Sequence, residues 1–543
     1  MKRYKDYIFY FLSIPILLIY RYYWSTISQW REDQATNIWL AYTKTLSETS
    51  VGLLSSKMIP NPNGMLLFGK ILSLFDSLLS STLFLSMIQI TIFYFLTREL
   101  TNNFNVNNLA FICISMSTLM SSSSVEFWNN WVLILLNSLF FIFILKFLNT
   151  KKSEYLFISL LISIFPPALY LAGILNSIVY TLIIFFSLAI NTKPMAVSKK
   201  TFFYIFSSLI IVINYLLTWK PYFKAINFKE TLGFSTLSLY DRLNILTDSV
   251  LQLPGSFLTI WTNQKSFFIL QLDRDVISEF SHTLFKIYVE YHKVLFLMFF
   301  LFLILGIISI SKFKDNNLDN LLVKKLSLFI SFVSLSVLIN PILGGPNYLL
   351  FERMENMSQF YIFYILICFL IPFVFIEYKI FIKKVIPINK VIFIFFIFLN
   401  TLLSINLISN SLSYKGDKLT EADVPLIYKV ELVDFIGNDS KLRLNKDEVS
   451  VAYILGGGIW DWIPNHSVYF SNWYKDYPFT IGRAYDYQLL RKHSIRNSYE
   501  GINSRDFNNS DYVVTYKFDE HEILNTNNYL HLYFGQLRLS VKN

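Results

Sequence analysis

The sequence predicts an α-helical polytopic membrane protein of about eleven transmembrane helices, followed by a small α+β domain at the C-terminus. Of the 543 residues, 54% are hydrophobic and 15% are charged, whereas soluble domains carry about a quarter charged residues. Phe, Ile and Leu fill long runs that charged residues avoid, and the composition changes abruptly after residue 409. Most of the chain must therefore be solvated by lipid, and its last part must be solvated by water.

The apolar runs are each close to the ~20 residues that cross ~30 Å of hydrocarbon. They comprise residues 7–24, 79–97, 107–121, 127–148, 155–170, 172–190, 202–219, 293–311, 326–343, 358–377 and 390–408. Pro166 and Pro167 leave two interpretations of the fifth and sixth runs open, a kink or the turn of a tight hairpin.

The positions of lysine and arginine predict how the helices are oriented. Every second connection is cationic, and cytoplasmic loops are the ones that carry an excess of Lys and Arg. The cationic segments are 2–5, 98, 146–152, 193–200, 312–325 and 379–390. Topology therefore explains the net charge of +10 better than nucleic-acid binding does. The N-terminus is predicted to be cytoplasmic, in a multi-pass protein of the cell (inner) membrane.

Three long segments then fall on the extracytoplasmic side, namely residues 25–77, residues 220–292 and everything after residue 409. We expect residues 1–409 to form a transmembrane catalytic domain and residues 410–543 a soluble extracytoplasmic domain. The soluble part is rich in Asp, Asn, Lys and Tyr. Its β-type runs at 449–455 and 512–516, separated by turn signals, predict the α+β character.

An acidic pair follows the first apolar run. Glu32 and Asp33 open a segment in which Ala35, Ile38, Trp39 and Tyr42 recur at helical spacing, which predicts an amphipathic helix lying at the membrane interface. The two carboxylates have two interpretations. They stabilise the positive end of the helix dipole, or one of them accepts a proton from an incoming hydroxyl group.

The chain then turns at Pro60–Gly64 and continues as a second short apolar helix over residues 65–75. Extended backbone at membrane level is tolerated only where it is buried in protein or lines a cavity. The prolines therefore predict the wall of a site.

This arrangement resembles the GT-C superfamily of membrane glycosyltransferases, which includes protein O-mannosyltransferases and lipid A aminoarabinose transferases. The resembling features are the anchor helix, the Glu32–Asp33 pair, the proline-containing turn, the re-entering helix and the extracytoplasmic C-terminal domain. The resemblance implies transfer of a sugar from a polyprenyl-phosphate donor to a lipid, glycan or protein acceptor at the outer face, with Asp33 as general base. One departure is that Asn61 separates Pro60 from Pro62.

A second acidic candidate and several cations complete the predicted site. Glu126 lies between the third and fourth runs, where relatives often carry another acidic residue; it is equally an ordinary interfacial anchor. Arg353 is the main candidate for binding the donor phosphate, because a guanidinium group can donate to two oxygens at once. Its alternative partners are Glu352 and Glu355. Further candidates of this kind are Lys57, Arg242 and Arg274.

No cofactor is required by the sequence. The six His and two Cys residues form no metal-ligand spacing, whereas a divalent cation held by carboxylate oxygens needs no such signature and stays open.

Two other functions are alternatives to a glycosyltransferase. An O-antigen-type polymerase or ligase should concentrate arginines in its central outside loops, and residues 220–292 contain only Arg242 and Arg274. A transporter or flippase should carry ionisable residues at the bilayer midplane, where this sequence is expected to be apolar.

Overall fold

The computed structural model describes about half of the chain. The described residues are 2–28, 30, 32–45, 63–101, 103–125, 127, 129–169, 173–190, 386–413, 424–454, 483–497, 510–516 and 529–542, with individual residues between 238 and 294 and between 321 and 336. Within these ranges the protein is predominantly helical and contains a small sheet. The helical fold class with a C-terminal α+β part is therefore confirmed in outline.

Eleven of the described helices form a helical body. They are α1 (Lys2–Thr26), α2 (Glu32–Thr43), α3 (Gly64–Leu72), α4 (Leu78–Leu100), α5 (Phe104–Met116), α6 (Thr118–Ser123), α7 (Asn129–Thr150), α8 (Ser153–Ile162), α9 (Pro166–Leu169), α10 (Gly173–Ile190) and α11 (Ile386–Ser413). In the described part of the chain, three segments are long and apolar enough to cross a membrane, at Leu78–Leu100, Val132–Thr150 and Phe393–Ser413. They coincide with three of the predicted runs and indicate membrane association.

The predicted count of eleven spans stays a prediction. Runs 202–219 and 358–377 and most of run 293–311 lie outside the described residues, while part of run 326–343 is helical.

Helix α1 shows a face that only lipid can solvate. Ile8, Leu12, Ile16 and Ile19 follow one another at helical spacing and are all exposed, whereas Leu17 on the other side is buried. A continuous exposed stripe of large apolar side chains is unfavourable in water and favourable in hydrocarbon. The stripe therefore supports the prediction that the first run is a membrane anchor.

Helix α4 lies at the centre of the helical body and packs against α1, α5 and α7. The core around it is aromatic. The rings of Phe140 and Tyr180 stack with centroids 4.2 Å apart, and those of Phe141 and Phe329 also lie 4.2 Å apart. Phe329 belongs to the ninth predicted run, so a described part of that run packs in the same core.

The third predicted run is broken rather than continuous. Helix α5 ends at Met116 and α6 begins at Thr118, with Ser117 in an extended conformation between them. The carboxamide oxygen of Asn400 on α11 accepts a 3.0 Å hydrogen bond from the Thr118 amide. The prediction of one helix over 107–121 was therefore wrong, because side chains of distant helices satisfy the backbone groups that the break releases.

The Pro166–Pro167 segment forms a tight hairpin, which decides between the two interpretations. Helix α8 ends at Ile162, and α10 returns beside it so closely that the hydroxyl of Ser177 donates to the carbonyl of Ser163. A Cβ atom on Gly173 would lie 2.2 Å from the carbonyl oxygen of Pro166. Only glycine allows the two backbones to approach this closely.

The helical body has two chemically different ends. The end that we name the α2 end contains α2, α3, the α6–α7 connection and the last turns of α1 and α11. At the opposite end, Lys325 Nζ donates to the carbonyl of Glu99 at 2.7 Å, and Lys146 lies 4.0 Å from the Glu99 carboxylate. Cations from two predicted cytoplasmic segments therefore meet at that opposite end.

The C-terminal residues form a unit with its own core, which we name the C-terminal unit. It contains α12 (Leu426–Asp439), a π-helical turn (Ser440–Leu444), α13 (Arg483–His493), and strands β1 (Glu448–Val449), β2 (Val451–Ile454), β3 (Arg496–Asn497), β4 (Tyr512–Tyr516), β5 (Tyr529–Phe534) and β6 (Leu537–Lys542). Four strands form a sheet in the order β2-β4-β6-β5, in which only the β2–β4 pair is parallel. The strands predicted at 449–455 and 512–516 are confirmed as β2 and β4.

We expect Gly173→Ala to destabilise the hairpin by about 1–3 kcal/mol, because the added methyl group displaces the Pro166 backbone rather than a flexible side chain. The measurement is the free energy of unfolding of the detergent-solubilised protein. Leu182→Ala, on an exposed part of the same helix, serves as the control. Equal stability of Gly173→Ala and wild type would contradict the hairpin.

Candidate functional site

The structure describes only part of the predicted site. Helix α2 begins at Glu32, so the acidic pair Glu32–Asp33 occupies its first turn as expected, but the side chains of both residues lie outside the described part. Glu126, Arg353, Lys57, Arg242 and Arg274 also lie outside the described residues. The described residues next to them in the chain therefore define the geometry of this region.

Helix α2 is enclosed rather than spread on a membrane surface. Ala35 and Ile38 are buried as their spacing predicts, but Gln34, Thr36 and Leu40 are buried as well. The helix packs against α3 on one side and against α13 of the C-terminal unit on another. The C-terminal unit therefore covers the face of α2 that sequence alone assigns to water, while the position of α2 at the membrane interface stays a prediction.

The segments that carry the two acidic candidates meet at the α2 end. Ser28, shortly before Glu32, donates its hydroxyl hydrogen bond to the carbonyl of Val125 at 2.7 Å. The ring of Trp30 packs against that of Phe127 with centroids 6.0 Å apart. Val125 and Phe127 are the chain neighbours of Glu126, so Ser28 and Trp30 contact the residues that flank it although almost one hundred positions separate the two segments.

Trp30 holds the chain in an unusual conformation directly before α2. Its φ angle is +41°, in the left-handed region, which costs a non-glycine residue roughly 1–2 kcal/mol. Its side chain is buried. Strained backbone of this kind persists only where surrounding contacts enforce it and is concentrated at functional sites.

A lysine of the C-terminal unit reaches this strained residue. Lys429 on α12 is fully buried, and its Nζ atom lies 3.5 Å from the carbonyl oxygen of Trp30. The same Nζ atom lies 5.8 Å from the centre of the Tyr485 ring, within cation–π range. Sequence reasoning missed Lys429, yet it interrupts the buried stripe of Leu426, Val430 and Val433 at helical spacing, and a cation in such a stripe is a usable signal.

A second missed residue is Arg21, near the end of α1. Its side chain is fully buried. Its guanidinium group donates to the carbonyls of Met120 and Ser115 at 2.6 and 2.7 Å and to the hydroxyl of Ser124 at 2.6 Å. A cation near the C-terminal carbonyls of α5 is also favoured by the helix dipole. Arg21 therefore fixes the broken α5–α6 segment that leads to Glu126.

Several polar atoms at the α2 end are buried without a hydrogen-bond partner among the described residues. They include Trp30 Nε1, Gln34 Oε1 and Thr36 Oγ1. Most buried polar groups are satisfied by protein or by ordered water, so each exception needs an explanation. These atoms lie near the start of α2. They are suited to form hydrogen bonds with a bound molecule that carries hydroxyl groups.

Helix α13 fastens the C-terminal unit to the helical body beside α2. The guanidinium carbon of Arg491 lies 4.7 Å from the centre of the Tyr42 ring, and Arg491 NH2 lies 3.3 Å from the Asp76 carboxylate. Tyr42 also meets Tyr487 edge-to-face, with ring centroids 5.9 Å apart. Burial raises the pKa of Tyr487 above its usual range, although the neighbouring Arg491 charge opposes the shift. Tyr487 is therefore a neutral phenol at physiological pH.

Within the described residues, no group of three or more His, Cys, Asp or Glu side chains is arranged to hold a metal ion. The divalent cation that sequence reasoning left open stays open, because the carboxylates concerned lie outside this part.

Fold and site together define a membrane-associated helical protein in which a C-terminal α+β unit packs on helix α2. No family model matches the chain, and no curated protein matches it.

We expect Arg21→Met to lower the free energy of unfolding by about 1–3 kcal/mol, because two buried carbonyl groups lose their donor. Unfolding in mixed detergent micelles measures this loss. The control is Ser138→Ala, which removes a buried hydroxyl without a partner among the described residues and should change stability by less than about 0.5 kcal/mol. Equal losses in the two variants would exclude a bracing role for Arg21.

We expect Arg491→Met to weaken the docking of the C-terminal unit by about 1 kcal/mol, since it removes a cation–π contact and the contact with Asp76. Pulse proteolysis of the solubilised protein at increasing urea concentration reports this change. Lys492→Met is the matched control, because Lys492 pairs with Asp434 inside the C-terminal unit. Similar cleavage of both variants would contradict docking through Arg491.

Proposed function

We propose that the protein is an inverting hexosyl- or pentosyltransferase that moves a sugar from a polyprenyl-phosphate donor to a lipid, glycan or protein acceptor at the outer membrane face. The observation that carries the proposal is the contact of Ser28 and Trp30, shortly before α2, with Val125 and Phe127 at one end of the helical body. It supports a site in which carboxylates from two separate segments face the same substrate. The resemblance to the GT-C superfamily noted in the sequence supplies the reaction class.

In the proposed reaction, Asp33 accepts the proton of the acceptor hydroxyl as that oxygen attacks the anomeric carbon. The new C–O bond forms while the bond to the polyprenyl phosphate breaks, and the phosphate leaves with the electron pair. Arg353 is the proposed cation for the charge that develops on this leaving group, with Lys57, Arg242 and Arg274 as further candidates. Glu32 and Glu126 are the other proposed carboxylates of the site.

A lipid donor agrees with the apolar surface beside the α2 end. Helix α3, which packs on α2, exposes Leu67 and Ile71, and the turn after it exposes Leu74. Such a face suits hydrocarbon, whether bilayer lipid or the tail of a polyprenyl phosphate. The reacting headgroup would then lie next to the buried start of α2.

The distribution of charge supports the proposed orientation. Lys146 and Lys325 lie at the end of the helical body opposite α2, and the positive-inside rule places such cations in the cytoplasm. The α2 end and the C-terminal unit then lie on the extracytoplasmic side of the cell (inner) membrane. Nucleotide sugars are cytoplasmic, so a donor used on this side is expected to be lipid-linked.

One observation favours a transporter or flippase as the second candidate. Arg21 and Gln89 are buried in the helical body, and Gln89 donates to the hydroxyl of Ser123. Buried ionisable groups are typical of transport pathways. The described contacts of Arg21 are, however, with backbone carbonyls and a serine of a broken helix, which fits a structural brace better than a pathway.

The test uses purified protein and a panel of radiolabelled polyprenyl-phosphate sugars, with product release as the readout. We expect Asp33→Asn to lower the transfer rate by about 10²–10⁴-fold, because the general base is lost while its shape is retained. Glu154→Gln is the control, since Glu154 opens α8 at the opposite end of the body and should leave the rate unchanged. Absence of transfer or hydrolysis across the panel, or full activity of Asp33→Asn, would rule out the mechanism.

A further inference from the structure

Lys429 occupies a position where a lysine is costly. It lies on the face of α12 that carries Leu426, Val430 and Val433. Leu426 and Val430 are buried in the core shared with the helical body, and Val433 is buried in the core of the C-terminal unit. An ammonium group in such surroundings is unfavourable unless it is held by polar or anionic partners. The described partners of its Nζ atom are the carbonyl oxygen of Trp30 and the face of the Tyr485 ring.

The ammonium group of Lys429 lies close to the start of α2. Trp30 lies two residues before Glu32, so the Cα atoms of these residues are at most about 7.6 Å apart along the chain. The positive end of the α2 dipole repels a cation at this point. Negative charge favours a buried lysine at such a position, and the first turn of α2 carries the acidic pair in its sequence.

The Trp30 carbonyl also belongs to a residue that needs support. Left-handed backbone at a tryptophan is strained, and three contacts from two other parts of the chain hold Trp30 and the nearby Ser28. The Phe127 ring packs on the Trp30 ring, the Leu426 amide donates to the Ser28 carbonyl at 2.9 Å, and Lys429 approaches the Trp30 carbonyl. Two of these three contacts come from the C-terminal unit.

We propose that Lys429 is a positioning residue, by which the C-terminal unit holds the left-handed turn at Trp30 and fixes the first turn of α2 with Glu32 and Asp33. The positioning itself is independent of the reaction catalysed; its effect on rate rests on the function proposed above. The C-terminal unit is then part of the site rather than a separate accessory.

Hydrogen exchange of the full-length protein in detergent micelles tests the positioning directly. In Lys429→Met, the peptide over residues 28–36 should exchange about tenfold faster or more than in wild type, because local opening becomes easier. Lys429→Arg should restore the protection, since it keeps a buried cation and donor. Lys441→Met, at an exposed position of the same unit, should behave as wild type.

The strands of the C-terminal unit provide the internal reference. If Lys429 positions α2, exchange of residues 529–542 stays at the wild-type rate in Lys429→Met. Unchanged exchange of residues 28–36, or an equal loss of protection in 529–542, would overturn the proposal, the second because Lys429 would then only stabilise its own unit.

A kinetic arm distinguishes this proposal from the proposed function. With an active polyprenyl-phosphate sugar, Lys429→Met should lower kcat by about tenfold or more at nearly unchanged KM, since the substrate still binds while the base is misplaced. A rise of KM at unchanged kcat would overturn positioning. If wild type transfers no sugar, the proposed function fails, and the exchange data alone decide the role of Lys429.

Discussion

The architecture of the α2 end depends on one residue that joins three distant parts of the chain. The Ser28 hydroxyl donates to the carbonyl of Val125, and the Ser28 carbonyl accepts from the amide of Leu426. These two hydrogen bonds connect the end of α1, the segment before α7 and the start of α12. Each uses a backbone group that would otherwise be buried without a partner. The enclosure of α2 and the contact between the two acidic segments both follow from this junction.

The same requirement to satisfy backbone groups explains the polar residues inside the helical body. A helix interrupted within an apolar environment needs partners for the amides and carbonyls that the interruption frees. Arg21 and Asn400 supply them on the two sides of Ser117. The buried arginine therefore has a structural explanation, and the break in turn directs residues 118–125 towards Ser28. The break between α5 and α6 and the contact of Val125 with Ser28 therefore have the same cause.

Sequence predicted the local structure well and the tertiary relations poorly. The apolar runs fixed α4, α7 and α11 to within a few residues, and Glu32 begins α2 as its position after the anchor suggests, because helix formation depends on neighbouring residues. The break at Ser117 and the burial of α2 were not predictable, since they depend on Asn400 and on α13, far away in the chain. For the same reason Lys429 was missed, while the roles given to Asp33, Glu126 and Arg353 stay predictions.

The separation between Trp30 and Lys429 has a consequence for biogenesis. The two residues are 399 positions apart, and at about 5–20 residues per second the ribosome needs on the order of 20–80 s to synthesise the intervening chain. During that time the start of α2 lacks its cover. Assembly of the α2 end is completed only when the final quarter of the chain emerges and docks, so this part of the fold forms at the end of translation.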